Sequence, residues 1–204
     1  MPTSTTSYHH GDLPAALVRA AMDLLEEGGA AELSLRAAAR RAGVSSAAPY
    51  RHYADRNALL SAVAAVGYRE LAVHLAAAHP SPATADDLAA IAVAYVQFAL
   101  QRPGLFRVMF VEPCDPSSPE RVAAAEAISE YVKGIVRQAF PSADPEAMAT
   151  AVWALVHGLA FLHLDGKFDT SAPEIVADRV GAAVRAVLAA SGAFPSPGSA
   201  APSS

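Results

Sequence analysis

The stretch Leu35-Arg36-Ala37-Ala38-Ala39-Arg40-Arg41-Ala42-Gly43-Val44-Ser45-Ser46-Ala47-Ala48-Pro49-Tyr50-Arg51-His52-Tyr53 decides how this 204-residue chain folds. Its first eight residues are rich in alanine, the strongest helix former, and predict a helix of about two turns. Ser34 stands where a cap for that helix is needed. Gly43 lacks a Cβ and can take the left-handed conformation that ends it. Val44 then plugs the core between two helices, and Ser45 or Ser46 caps a second helix reaching about Tyr53. Helix, Gly-apolar-Ser turn and short helix are together what a helix-turn-helix requires.

In that motif the second helix lies in the major groove of DNA, with its N-terminal residues at the base edges. Ser46, Ala47 and Ala48 are small enough for close approach, and their hydroxyl and methyl groups suit base edges and thymine methyls. Tyr50, Arg51 and His52 can reach phosphate oxygens, which fix register rather than read sequence. Pro49 falls near the third or fourth helical position, where it is expected to cost at most one hydrogen bond. The net charge of the chain is −5, yet residues 34–56 carry Arg36, Arg40, Arg41, Arg51 and Arg56 against Asp55 alone. A basic stripe on an acidic chain can hold phosphate while the rest stays dispersed in solution.

Outward from the motif, proline, glycine and capping residues divide the chain into nine predicted helices and no strand. Asp12 caps the first, Pro14 is tolerated in its opening turn, and Gly28-Gly29 ends it. Asp55 caps a long fourth helix whose Leu59, Leu60, Val63, Val66, Leu71 and Leu75 share a face. The fifth runs over residues 85–101 until Pro103-Gly104, and a short sixth over 105–111. Ser118-Pro119, Asp144-Pro145 and Ser171 with Pro173 open the seventh, eighth and ninth, the last two ending at Gly166 and near Gly192. The fold class is therefore all-α. An N-terminal unit over residues 8–70, with its motif at 34–53, joins through the fourth helix to a second unit over 71–192. Residues 193–204, made mostly of Pro, Ser, Gly and Ala, are expected to be a disordered tail.

The single cysteine, Cys114, excludes an internal disulfide and a cysteine-based zinc site. Residues 147–164 contain no charge, but they include His157, Gly158 and His163 and are flanked by Glu146 and Asp165. A helix buried in a core or a subunit contact is the better reading than a membrane span. Residues 1–7 are polar and lack the pattern of a signal sequence, so a cytoplasmic protein is expected.

Residues 35–45, then Pro49-Tyr50-Arg51-His52-Tyr53, then Asp55-Arg56-Asn57-Ala58-Leu59-Leu60, resemble the TetR family of bacterial transcriptional regulators. The shared pattern is a helix ending in Ala-Gly-Val-Ser, a Tyr-x-His-aromatic recognition helix and a capped basic residue opening the next helix. Pro49 departs from the commoner leucine-like residue before the tyrosine. The opening Tyr8-His9-His10-Gly11-Asp12 also occurs in a branch of the family. The resemblance implies that Ser34, Arg36 at the opening of the second helix, Tyr50, His52 and Arg56 contact phosphate. It implies that Ser45, Ser46, Ala47 and Ala48 face the bases, with Arg51 in either role. It further implies a homodimeric repressor on an inverted-repeat operator, with recognition helices about 34–36 Å apart and a small-molecule effector that releases it. Tyr53 is expected to pack on the first and fourth helices.

Trp153-Ala154-Leu155-Val156-His157-Gly158 resembles the Trp-His-Gly motif of one C-terminal class of that family. This implies that the eighth and ninth helices pair with their symmetry mates in a four-helix bundle. Val152, Val156, Leu159, His163, Val180, Val184 and Val187 are the expected interface residues. An apolar pocket is expected between the fourth and seventh helices, roofed by the eighth. Its candidate lining is Tyr68, Tyr95, Phe98, Phe106, Met109, Phe110, Tyr131, Trp153, His157 and Phe161. His157, in an uncharged helix, needs a hydrogen-bond partner.

An enzyme is disfavoured: the sequence has no Gly-rich phosphate loop, nucleophile elbow or plausible metal cluster. No cofactor, metal or membrane partner is expected. The alternative left open is a DNA-binding repressor or architectural protein that responds to no ligand.

Overall fold

Side-chain caps fix where the first four helices start. Helix α1 (Leu13–Gly28) begins after Asp12, whose carboxylate accepts from the Ala15 amide at 3.2 Å. Helix α2 (Leu35–Arg41) begins after Ser34, whose Oγ accepts from Ala37 at 3.1 Å. Asp55 serves α3 (Arg56–Ala78) in the same way, at 2.9 Å to Ala58. Thr84 and Asp87 form a reciprocal capping box on α4 (Ala85–Gln101). The other four, α5 (Pro103–Phe110), α6 (Pro119–Ala139), α7 (Pro145–Leu164) and α8 (Pro173–Ser191), each open on a proline. A proline there removes an amide that has no helical partner anyway.

The computed structural model describes residues 12–80, 82, 84–141 and 144–191. The expected boundary at residue 8, the Tyr8-His9-His10-Gly11 opening and the expected tail at 193–204 lie outside the described residues. Among the described residues there are eight α-helices, two 3₁₀ turns (Ala30–Glu32 and Pro49–Arg51) and no strand.

The missing ninth helix is the expected recognition helix, and Pro49 explains it. An α-helix capped by Ser45 would close its first turn with an amide at position 49 bonded to the Ser45 carbonyl. Proline has no such amide, and its ring crowds the carbonyl four residues back. The Ala48 amide takes the Ser45 carbonyl instead, at 3.0 Å, in the tighter three-residue pattern. Arg51 and His52 continue that pattern to Ala48 and Pro49. The bond that the sequence reading counted as expendable is the one that starts the helix.

Helix α3 is the axis of the molecule. It packs against α1, α4, α5 and α6, and Leu59, Leu60, Val63, Ala64, Leu71 and Leu75 are all buried around it. A helix enclosed on several sides needs apolar residues all round rather than one stripe. Short α5 lies against α1, α3 and α4 and buries Leu105, Phe106, Val108 and Met109. Its approach to α1 is close: a Cβ on Gly104 would stand 2.7 Å from the Leu25 carbonyl oxygen. On the far side α4 packs on α7 and α8. One hydrophobic core thus runs unbroken from Leu17 in α1 to Leu188 in α8.

Candidate nucleic-acid interface and internal cavity

The turn after α2 is built as its residue types require. Gly43 has φ +71°. The Val44 amide reaches back to the Ala39 carbonyl at 3.0 Å and the Gly43 amide to Arg40 at 3.2 Å. That double bond is the Schellman closure, which a left-handed glycine allows. Val44 is half-buried against the core. Ser45, Ser46 and Ala47 follow on the surface, with Ala48 half-buried and Pro49 buried beneath them. Tyr50, Arg51 and His52 are exposed on the 3₁₀ turn, Tyr50 to 53%. Arg36 and Arg40 are exposed on α2, and with Arg51 they form no ion pair with a described residue. Tyr53 is partly buried, and its hydroxyl lies 3.4 Å from the Pro14 carbonyl of α1. Burial raises its pKa.

Two of the five arginines are engaged by other residues, Arg41 at the surface and Arg56 partly buried. Arg41 is held by Glu27 of α1 through both guanidinium nitrogens, which lowers the Glu27 pKa and raises that of Arg41. Arg56 departs from the expected phosphate contact. Its Nε donates to the Leu33 carbonyl at 3.0 Å and its Nη2 to the Ala30 carbonyl at 2.8 Å. The same Nη2 pairs with Glu112 at 3.2 Å. Residues 30–33 precede the Ser34 cap, and Glu112 follows α5, so Arg56 ties the approach to α2 to the far end of α5. The reason is geometric: at the first position of α3, its long side chain reaches the Leu33 carbonyl and the Ala30 carbonyl, which also accepts the Leu33 amide within the 3₁₀ turn. No sequence pattern signalled Glu112 as its partner.

Further ties join the same elements. The Ser61 hydroxyl accepts from the Asp115 amide at 2.8 Å. Arg102, after α4, pairs with Glu26 of α1 and Glu70 of α3, each at 3.0 Å.

A cavity of about 340 Å³ lies among α4, α6, α7 and α8, with Leu75 as the contribution of α3. Its walls include Ile91, Ala92, Ile128, Val132, Val156 and Leu188. Of the ten expected lining residues it receives Tyr95, Tyr131 and Trp153. Tyr68, Phe98, Phe106, Met109, Phe110, His157 and Phe161 are not among the residues that line this cavity. Tyr68, Phe98, Phe106 and Met109 are buried in the core instead. They pack because α3 is already enclosed by α1, α5 and α6, so the space opens one helix further on. Phe106, Phe110, Trp153 and Phe161 cluster around the His157 ring, with centroids 4.7 to 5.8 Å from it.

His157 has the partner its setting demands. The Tyr95 hydroxyl stands 2.9 Å from its Nδ1. Burial lowers the His157 pKa, which favours the neutral ring in that hydrogen bond. Burial also raises the Tyr95 pKa, partly opposed by the nearby Trp153 indole, so the phenol stays protonated. This chain joins the wall of the cavity to α5 through Phe106 and Phe110.

Several of the expected interface residues are covered by this chain itself. Leu159, His163, Val180 and Val184 are buried within one chain, and the His163 Nδ1 lies 2.7 Å from the Leu159 carbonyl. Val152, Val156, Val184 and Val187 line the cavity, Val187 half-exposed at its edge. What α7 leaves exposed includes a stripe of Ala147, Ala151, Ala154, Gly158 and Leu162, with Thr150 and Trp153 beside it; Ala151 also borders the cavity. A Cβ on Gly158 would meet nothing within 4 Å. By length and composition α7 is apolar enough to cross a membrane, as is α3, but only 17% of its most apolar window is buried, against 56% for α3. Nothing charged lies on the stripe, and two large side chains, Leu162 on it and Trp153 beside it, are left 40% and 46% exposed.

Comparison with known proteins agrees at both ends of the chain. The family model described as "Bacterial regulatory proteins, tetR family" matches residues 17–63. That described as "Tetracyclin repressor-like, C-terminal domain" matches residues 88–187. Among solved structures, a protein of unknown function from Rhodococcus sp. RHA1 is 34% identical over 89% of this chain and 98% of its own, with a TM-score of 0.72. A bacterial regulatory protein in the tetR family from Rhodococcus RHA1 is 24% identical over 84% and 95%, at 0.63. The TetR family transcriptional regulator PfmR from Thermus thermophilus is 18% identical over 83% and 97%, at 0.60. The last two are likenesses of fold. No curated protein matches the chain.

Proposed function

This chain belongs to the TetR family of DNA-binding transcriptional regulators, and from that premise we propose that it is a homodimeric repressor released from an inverted-repeat operator by a small apolar molecule. The observation that carries the DNA side is the exposed face formed by Ser45, Ser46 and Ala47 beside Arg36, Arg40 and Arg51. Small side chains admit the backbone to base edges, and guanidinium groups without ion pairs to described residues are available to phosphate. Tyr50 and His52 extend that face. Residues 12–70 act as the DNA-binding unit and residues 71–191 as the sensing and dimerising unit, in a cytoplasmic protein.

The uncovered stripe on α7 supports the dimer. Alanine and glycine let a second helix approach closely, and burying an uncharged stripe stabilises the contact. Two-fold pairing would use the same stripe on both copies.

The cavity supports the effector. Its contents bear on Tyr95 and Trp153, which hold His157, which packs on Phe106 and Phe110 of α5. Glu112 beyond α5 holds Arg56, and Arg56 holds the carbonyls before the Ser34 cap. A ligand that prefers one arrangement of α5 shifts DNA affinity by its difference in affinity for the two states, and no more.

The test is selection of binding sites from a random duplex pool by the purified protein at near-physiological salt. Enrichment of a two-fold-symmetric sequence is expected. A folded dimer that enriches nothing argues against the reading.

A further inference from the structure

Among the described residues, the cavity walls hold no Asp, Glu, Lys, Arg or His. Their side-chain oxygen and nitrogen atoms are the Tyr95 and Tyr131 hydroxyls and the Trp153 indole nitrogen. The Tyr95 hydroxyl is engaged with His157. The Tyr131 hydroxyl is buried and has no hydrogen-bond partner. Leaving a buried hydroxyl unsatisfied costs about 1–3 kcal/mol, so a polar atom placed against it is favoured. An ionised group placed in the same walls would lose its hydration and find no counter-charge, a far larger cost.

We infer that the effector is an uncharged amphiphile: an apolar body with one oxygen that hydrogen-bonds to Tyr131. This rests on the reading of the cavity as the effector site. At roughly 30 Å³ per water-sized group, a volume of about 340 Å³ holds a molecule of about a dozen heavy atoms. Carboxylates and amines that are ionised near neutral pH are excluded by the same walls. Tyr131 sets the polar end, and the aliphatic residues of α4, α6 and α7 enclose the rest.

A matched series tests this: butylbenzene, 4-phenyl-1-butanol and 4-phenylbutanoate, titrated at pH 8. Trp153 is the sole tryptophan of the chain and lines the cavity, so its emission reads occupancy directly. The alcohol and the hydrocarbon are expected to saturate the signal, and the carboxylate to bind at least 100-fold more weakly than the alcohol. Tyr131→Phe, which keeps the ring, is expected to weaken the alcohol about fivefold and leave the hydrocarbon unchanged. A carboxylate as tight as the alcohol, an alcohol indifferent to Tyr131→Phe, or no saturation by any of the three overturns the inference. Operator affinity is measured separately on the same samples. Binding in the expected order without DNA release upholds the ligand class and refutes the effector role instead.

Discussion

Arg56→Ala separates an internal tie from a phosphate contact. Arg56 makes two bonds to backbone carbonyls, at 3.0 and 2.8 Å, and one ion pair with Glu112 at 3.2 Å. A hydrogen bond to a charged group contributes about 1.5–3 kcal/mol when buried. The Arg56 side chain is 34% exposed, so solvent screening reduces the sum to about 1–2 kcal/mol. For a chain of this size that corresponds to a fall in Tm of about 2–8 °C. The Leu33 carbonyl loses the guanidinium and the Ala30 carbonyl keeps only the Leu33 amide, so the approach to α2 loosens.

The assay is operator binding by fluorescence anisotropy between 50 and 200 mM salt, paired with urea unfolding. Each phosphate contact contributes about 0.9 to the slope of log affinity against log salt. Arg56→Ala is expected to lower stability and affinity while leaving that slope unchanged. Arg36→Ala, which removes an exposed guanidinium, is expected to do the reverse: the slope falls by about 0.9 and the urea midpoint stays. A shallower slope for Arg56→Ala at unchanged stability would refute the internal role and restore the arginine to the DNA face.

Gly104→Ala places a methyl 2.7 Å from the Leu25 carbonyl oxygen, and backbone cannot rotate away. It should destabilise by about 1–3 kcal/mol, read from the urea midpoint. Gly158→Arg adds a charged side chain where a Cβ meets nothing within 4 Å. Sedimentation should find a monomer with unchanged helicity, and a surviving dimer would place the interface elsewhere. Burial lowers the His157 pKa, so the unfolded chain binds more protons below about pH 6.5. Stability at this residue is present above that pH and is lost as pH falls through the folded pKa. Urea midpoints at pH 7.5, 6.5 and 5.5 should show an acid loss that His157→Gln diminishes.

Where the sequence was legible, a local interaction governed the outcome. Asp12, Ser34 and Asp55 each cap the helix that follows them, because a side chain reaching an amide three residues on needs no knowledge of the rest of the chain. The Gly43-Val44 turn is equally local. Pro49 shows the limit even there. Its cost depended on which single bond was lost, and the bond from position 49 to Ser45 is the one that nucleates the turn.

The sites farther on were legible in composition but not in phase. On α7, Val152 and Val156 differ from Ala151 and Ala154 only in which side of the helix they occupy. An apolar helix with two candidate faces gives no sign of which one the chain itself will cover. Only the assembled chain shows which is covered: Ala149, Leu159, Ala160 and His163 are buried, while Ala147, Thr150, Ala151, Trp153, Ala154, Gly158 and Leu162 are exposed. The cavity depends on the assembled chain in the same way. The sequence supplied aromatic residues enough for a pocket against α3, but α1, α5 and α6 already surround that helix. Phe106, Phe110 and Phe161 instead became the packing around His157. Tyr131 carries the most chemical information in the cavity for the opposite reason: the packing that buries its ring gives its hydroxyl no partner. Ligand chemistry in this protein is therefore written in what the walls leave unsatisfied, which only the assembled helices can define.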